Sequence, residues 1–188
     1  MSNPSRAPAS KATFEALYKS VYSDLLRFAQ RRAHPDRAED VVADTFLVAW
    51  RRLDDLPKHH EDARAWLFGI ARNALLNEHR GAERRQALGV RLKEIPAELP
   101  ADGDADLVAR RIDLARAWSR LPEAHQEVLS LHVFEELRAP QAAAVLGISP
   151  VAFRLRLSRA RRALRRHWDA SPQSSGLPVD VSERIAKP

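Results

Sequence analysis

Residues 140–166 read PQAAAVLGISPVAFRLRLSRARRALRR, and the reading of this stretch decides the fold. Pro140 can open a short helix at its first position, where a missing N–H costs nothing. Ala143 is small where two helices would cross. Gly147 supplies a tight turn, because glycine alone takes positive φ cheaply. Ile148 plugs the angle between the helices, and Ser149-Pro150 gives a cap followed by proline at the first helical position. In the second helix Phe153, Leu157, Ala160 and Leu164 recur at steps of four, three and four, which makes one buried stripe. Arginines at 154, 156, 159, 161, 162, 165 and 166 occupy much of the rest. A run of charge alone would read as a solvated face. Joined to the glycine turn and the capped second helix, it reads as the recognition helix of a helix-turn-helix. Early residues of such a helix reach base edges in the major groove, while later arginines neutralise phosphates.

Upstream, Pro122 fits a first helical position with Glu123 near the positive end of the dipole, so helices are expected over Leu107–Ser119 and Pro122–Phe134. Residues 86–106 differ in character. Pro96, Pro100, Gly103 and the acids Glu94, Glu98, Asp102, Asp104 and Asp106 mark an acidic, flexible linker. Fully extended, it would reach about 70 Å, roughly 20 base pairs of duplex. Before it lie three more helical patterns. Phe14, Leu17, Val21, Leu25 and Phe28 define the first, from Thr13 until His34-Pro35-Asp36 breaks it; Asp36 can cap the second, which carries Val41, Val42, Phe46 and Trp50. The third runs from about Ala63 to Arg80 and ends at Gly81. Between the last two, Asp54–Asp62 reads as an exposed loop.

The expected fold is therefore all-α: two small helical domains joined by a flexible linker, the second containing the helix-turn-helix. The boundaries are a disordered arm over 1–12, a first domain over 13–85, the linker over 86–106, a second domain over 107–170 and a mobile tail over 171–188. Composition agrees. The chain has 188 residues, 45% hydrophobic, with only six glycines and a net charge of +6 carried mostly by arginine. Arginine suits phosphate and base contacts. The absence of cysteine excludes disulfides, thiolate metal sites and cysteine nucleophiles. No apolar run approaches a membrane span or a signal peptide, so a cytoplasmic protein is expected.

No catalytic, metal or cofactor constellation emerges. Asp40 and Asp44 lie one turn apart without a third ligand, so an exposed docking face is the better reading. The side chains of His59 and His60, being adjacent, point apart, and no His-Glu-x-x-His pattern exists. Ser149 reads as a cap and not a nucleophile. By their apolar spacing, Trp50 and Trp66 read as core.

The second half resembles the fourth conserved region of the extracytoplasmic-function (ECF) sigma factors of RNA polymerase. The matching pieces are Leu121-Pro122-Glu123, Gln126-Glu127-Val128-Leu129, Leu146-Gly147-Ile148-Ser149 and Arg154-Leu155-Arg156-Leu157-Ser158-Arg159-Ala160-Arg161. The first half resembles the second conserved region through Ala38-Glu39-Asp40-Val41-Val42-Ala43-Asp44-Thr45-Phe46, Ala49-Trp50-Arg51 and Ala65-Trp66-Leu67-Phe68-Gly69-Ile70-Ala71-Arg72-Asn73. The likeness spans about residues 13–168.

The resemblance implies an alternative sigma factor, not an enzyme, that gives core polymerase its promoter specificity. Asp40, Val41, Asp44, Phe46 and Trp50 would lie on the helix that docks on the clamp helices of the largest polymerase subunit. The Asp54–Asp62 loop, with Asp54, His59, His60, Asp62 and nearby Trp66, would hold a base flipped from the "minus ten" element. Arg72, Asn73, Asn77 and Arg80 would face that DNA. Ala152, Arg154, Ser158, Arg159 and Arg162 would read the "minus thirty-five" element, and the second domain would touch the polymerase flap. An anti-sigma factor joins promoter DNA and core polymerase as an expected partner class. Departures from the family pattern include Asp44 where Glu is usual, Ala152 where Thr is common, Leu155 where a small polar residue is frequent, and Leu67 after Trp66 where primary sigma factors carry a second Trp. The alternative reading is a free-standing helix-turn-helix regulator that binds DNA as a dimer. It leaves the first half without a role.

Overall fold

The computed structural model describes residues 6–78, 88–92 and 105–170. Among these every regular element is helical: α1 (Arg6–Gln30), α2 (Ala38–Arg51), α3 (His60–Glu78), α4 (Ala105–Ser119), α5 (Glu123–Val133), α6 (Ala139–Leu146) and α7 (Pro150–Asp169), with 3-10 turns at Pro35–Arg37 and Leu53–Asp55. The first three helices pack pairwise into one unit, and α4 to α7 form a second in which α7 touches α4, α5 and α6. No described helix is long and apolar enough to cross a membrane.

The periodic apolar residues of both units join in one continuous core, with α3 packed on α6. Leu17, Val21, Leu25 and Phe28 of α1 are buried, and the rings of Phe28 and Phe68 meet 5.0 Å apart. Phe153, Leu157, Ala160 and Leu164 of α7 are all buried, as the four-three-four spacing requires. The turn before α7 closes as its residues dictate. Gly147 takes φ +65°, its N–H donates to the Ala144 carbonyl at 3.2 Å and the Ile148 N–H to the Ala143 carbonyl at 3.0 Å, the paired bonds of a Schellman motif. Ser149 Oγ accepts from the Ala152 N–H at 3.1 Å, and Pro150 begins α7.

Several boundaries differ from expectation. α1 begins at Arg6, so half of the expected 1–12 arm is helical; Arg6, Ala7, Ala9 and Lys11 favour helix, and Pro8 lies in the first turn, where it is tolerated. Asp36 does not cap α2. It sits in the preceding 3-10 turn and pairs with His34 Nδ1 at 3.2 Å, which leaves Arg37 as an N-cap without a side-chain bond. Pro122 is the N-cap of α5 and not its first residue. α3 starts at His60, inside the loop read over Asp54–Asp62, and Glu61 and Asp62 suit its first turn.

The linker reading needs the largest correction. Leu88 to Leu92, expected within the flexible 86–106 segment, is packed between the two units. Leu88 and Val90 are buried, the Val90 N–H donates to Gln126 Oε1 at 2.9 Å, Trp118 Nε1 donates to the Val90 carbonyl at 2.6 Å, and the Arg91 N–H donates to the Arg31 carbonyl at 2.9 Å. Leu88, Val90 and Leu92 alternate with Gly89 and Arg91, the period of an extended chain with one buried face. The rest of the linker, Gly81 and the 171–188 tail lie outside the described residues.

Candidate nucleic-acid interface

The three surfaces expected to carry function occupy α2, the α2–α3 connection with α3, and α7. On α2, Asp40 and Asp44 are exposed one turn apart, and Asp40 lies 3.7 Å from Arg37. Leu47, 54% exposed, continues the same line at the next turn. Val41 and Phe46, named from the sequence for docking, are buried and serve the core. Val41 follows Asp40 by one residue and Phe46 follows Asp44 by two, turns of about 100° and 200° around the helix, so the helix cannot present both sets outward. Trp50, read by spacing as core, is 46% exposed and packs edge-on against Phe14 at 5.2 Å. It ends a ring cluster with Tyr18, Tyr22 and Phe46 that the apolar count did not single out.

The Asp54–Asp62 connection is largely exposed, as expected. Asp55 pairs with Arg52 at 2.8 Å, His60 Nε2 lies 3.1 Å from Ser20 Oγ, and Asp62 accepts from Gln141 Nε2 of α6 at 3.0 Å. Asp54 and His59 are exposed. Trp66 is half-buried, with the Arg52 guanidinium 5.9 Å from its ring centre. Among the described residues, no three His, Cys, Asp or Glu side chains come close enough to share a metal ion. Further along α3, Asn73 and Asn77 are exposed, and Arg80 lies outside the described residues.

Arg72 does not stand with them. It is buried and holds Glu127 of α5 through two bonds, Nε to Oε1 at 2.7 Å and Nη2 to Oε2 at 3.2 Å. The expectation that Arg72 faces DNA is corrected for this arrangement: its guanidinium meets a carboxylate of the other unit. Around it lies a polar seam between the halves. Glu135, fully buried in the α5–α6 turn, accepts from Arg31 at 2.6 Å and Arg32 at 3.3 Å, and its carbonyl accepts from Arg64 at 2.7 Å. Glu136 beside it takes φ +52°, which lets Glu135 and Leu137 both turn inward. Arg32 stacks its guanidinium 3.6 Å from the Phe28 ring centre. Burial pushes Arg32 down to about 10, with Glu135 and Glu127 acting in the opposite direction, so it stays charged at neutral pH. α6 runs against α3 where Gly69 faces Val145; a Cβ on Gly69 would lie 4.0 Å from the Val145 Cα. Sequence reasoning missed Arg31, Arg32, Arg64 and Glu135. No local signal marks them, because their partners lie 71 to 104 residues away in the sequence.

α7 presents the opposite picture. Arg154, Ser158, Arg159 and Arg162 are exposed, as are Arg156, Arg165 and Arg166, while Ala152 is half-buried. Arg161 alone of the seven turns toward α5, with Nη2 2.8 Å from His132 Nε2. Burial, and secondarily the nearby Arg161, holds His132 below the ordinary histidine range; burial, and secondarily Arg159, does the same for His125. An exposed cationic face behind a rigid turn can lie in a groove of duplex DNA, and the α2 face offers acid and apolar surface to a protein.

Comparison with known proteins gives the same division. The family model for sigma-70 region 2 matches residues 17–85, and that for sigma-70 region 4 matches residues 111–164. The ECF RNA polymerase sigma factor SigL of Mycobacterium tuberculosis is 32% identical over 160 residues, covering 85% of this chain and 90% of that protein. The RNA polymerase sigma factor CnrH of Cupriavidus metallidurans is 36% identical over 144 residues, covering 72% of this chain and 75% of its own length. The solved structure of CnrH in complex with the cytosolic domain of CnrY superposes with TM-score 0.58 at 30% identity, covering 88% of this chain and 95% of that one. The sigma factor RpoE of Bartonella quintana, solved with the anti-sigma factor NepR, shares the fold at TM-score 0.55 and 23% identity, over 86% of this chain and 97% of that one.

Proposed function

This chain belongs to the ECF group of the sigma-70 family, an alternative sigma factor that directs transcription initiation, and on that premise we propose how its surfaces divide the work. Asp40, Asp44 and Leu47 on α2 dock on the clamp of the largest polymerase subunit, with Trp50 at the edge of that contact. The Asp54–Asp62 connection, beside Trp66, holds a base extruded from the "minus ten" element, and Asn73 and Asn77 contact the flanking strand. Opening a duplex costs a few kcal/mol per unstacked base, so a polar pocket with an apolar wall is the chemistry required. α7 enters the major groove of the "minus thirty-five" element, with Arg154, Ser158 and Arg159 toward bases and later arginines on phosphates.

The observation that carries this reading is the solvent-facing arginine surface of α7, set behind the Gly147 turn and the Ser149 cap. The chain works as a non-enzymatic specificity subunit, in the cytoplasm where polymerase acts. Both solved relatives are bound to a protein partner, in one case an anti-sigma factor, and a partner of that class is proposed here also. Run-off transcription with core polymerase on a promoter library tests the whole. Transcripts should depend on the chain and share two upstream elements. Equal binding to duplex without polymerase, as a dimer on paired half-sites, would favour the free-standing regulator instead.

A further inference from the structure

Two side chains on α7 have no place in the scheme so far. Val151 is 66% exposed and Leu155 51% exposed. Both are aliphatic on a helix whose other outward residues are mostly arginine. At 3.6 residues per turn, Val151, Leu155, Ser158 and Arg162 fall on one line, diametrically opposite the buried stripe of Phe153, Leu157, Ala160 and Leu164. That line projects furthest from the domain. Arg154 lies on one side of it and Arg159 on the other, both exposed.

A groove occupant must therefore meet Val151 and Leu155 at its floor and arginines along its walls. The cationic flanks suit a duplex, with Arg154 and Arg159 reaching base edges beside that floor and the later Arg165 and Arg166 meeting phosphates. The only apolar feature on the major-groove edge of a base pair is the thymine 5-methyl group. We propose that Val151 and Leu155 read thymine methyls in the upstream element, on the premise that α7 is the groove helix. Four residues of helix rise about 6 Å, close to two base steps of 3.4 Å. The two thymines accordingly lie within about three consecutive base pairs. Leu155, in a position where a small polar residue is frequent in the family, thus gives the element a different preference and not simply a weaker contact.

The test uses holoenzyme and promoters selected from a randomised upstream element, with each thymine replaced in turn by deoxyuridine, which removes only the methyl. Selection should enrich thymine at two neighbouring positions. At each, deoxyuridine should weaken binding about three- to fivefold, the factor that burial of one methyl-sized group supplies. Val151→Ala should abolish the thymine-over-deoxyuridine preference at one position and Leu155→Ala at the other, each binding the deoxyuridine promoter about as the parent does. Both residues are exposed, so folding is not at stake. The proposal is overturned if no thymine is enriched, if deoxyuridine is tolerated everywhere, or if the variants lose equal affinity on both promoters, as a protein contact would produce. Failure of the underlying premise reads differently: scrambling the whole upstream element would then leave binding unchanged.

Discussion

α3 and α7 both carry arginines and both are candidates to face DNA, yet they occupy opposite situations. On α7 the arginine face stands in solvent, and only Arg161 is drawn inward, to His132. On α3, Arg72 is buried against Glu127 of the other unit, and α6 covers the neighbouring surface where Gly69 meets Val145. The same residue type thus holds the protein together in one place and stands available to a polyanion in the other. What separates them is the nearest carboxylate. No acid lies on α7 before its last residue, Asp169, whereas α5 and the turn after it bring Glu127 and Glu135 to the seam. A cationic helix informs about nucleic acid only once its intramolecular partners have been accounted for.

The sharpest break of this contrast is to remove one member of the buried pair. Arg72→Ala or Glu127→Ala leaves an uncompensated charge at the seam and should cost about 3–5 kcal/mol in urea unfolding, whereas the apolar double replacement Arg72→Met with Glu127→Leu should recover most of it. Arg154→Ala on α7 should stay within about 0.5 kcal/mol of the parent in the same assay, as surface changes do. Equal losses for Arg72→Ala and Arg154→Ala would erase the distinction.

Next in size is the protein-facing surface. Charge reversal at Asp40 and Asp44 should weaken core polymerase binding by about 2–4 kcal/mol, the range for like charges brought together at an interface. Helical circular dichroism should be unchanged, since both side chains are exposed. A folded double variant that binds polymerase normally would remove the docking role from α2.

Within α7 the comparison can be drawn more finely. Arg154→Ala and Arg159→Ala should each cost the holoenzyme about 1–3 kcal/mol on promoters that keep the contacted base pair and relax preference there. Arg165→Ala and Arg166→Ala lie two turns later and should weaken all sequences alike, each lowering the salt slope by about one. Binding to single-base variants at two salt concentrations separates the classes. A uniform loss for all four would make α7 an anchor that reads nothing.

The smallest effect concerns acid. Burial, with Arg161 adding to it, lowers His132 below 6.5 in the fold, so the unfolded chain binds the proton more readily. Its stabilising contribution is complete above about pH 6.5 and is lost as pH falls through the lowered folded value. Unfolding free energy should therefore slope more steeply below pH 6.5 in the parent than in His132→Gln. Parallel curves would show that neither burial nor Arg161 lowers His132 in the fold.

Much of this was legible in the residues because it is local. Gly147, Ile148, Ser149 and Pro150 fix a turn within four positions, and Phe153, Leu157, Ala160 and Leu164 fix a buried face within twelve. The apolar faces of both units followed from the same periodicity, though not their joining into one core. What escaped was set by partners distant in sequence: Arg72 and Glu127 are 55 residues apart, Arg31 and Glu135 104 apart, and no local pattern pairs them. Trp50 was misjudged because its apolar spacing says that a ring wants cover without saying how much the neighbours Phe14 and Phe46 can give. Leu88 to Leu92 was read through the acidic and proline-rich residues after it, although its own alternation carried the answer.

That short extended segment also changes how the two halves find each other. As a free tether, residues 86–106 would let the second half roam a volume set by about 21 residues of chain. With Leu88 to Leu92 seated against Gln126, Trp118 and Arg31, the covalent path still to be spanned runs only from Leu92 to Ala105. The twelve residues between them reach at most about 43 Å. Effective concentration scales roughly as the inverse three-halves power of tether length, so seating the segment raises it about twofold. While Leu88 and Val90 stay buried, the free length between the halves is that of the shorter stretch; released, they would return the full span of residues 86–106.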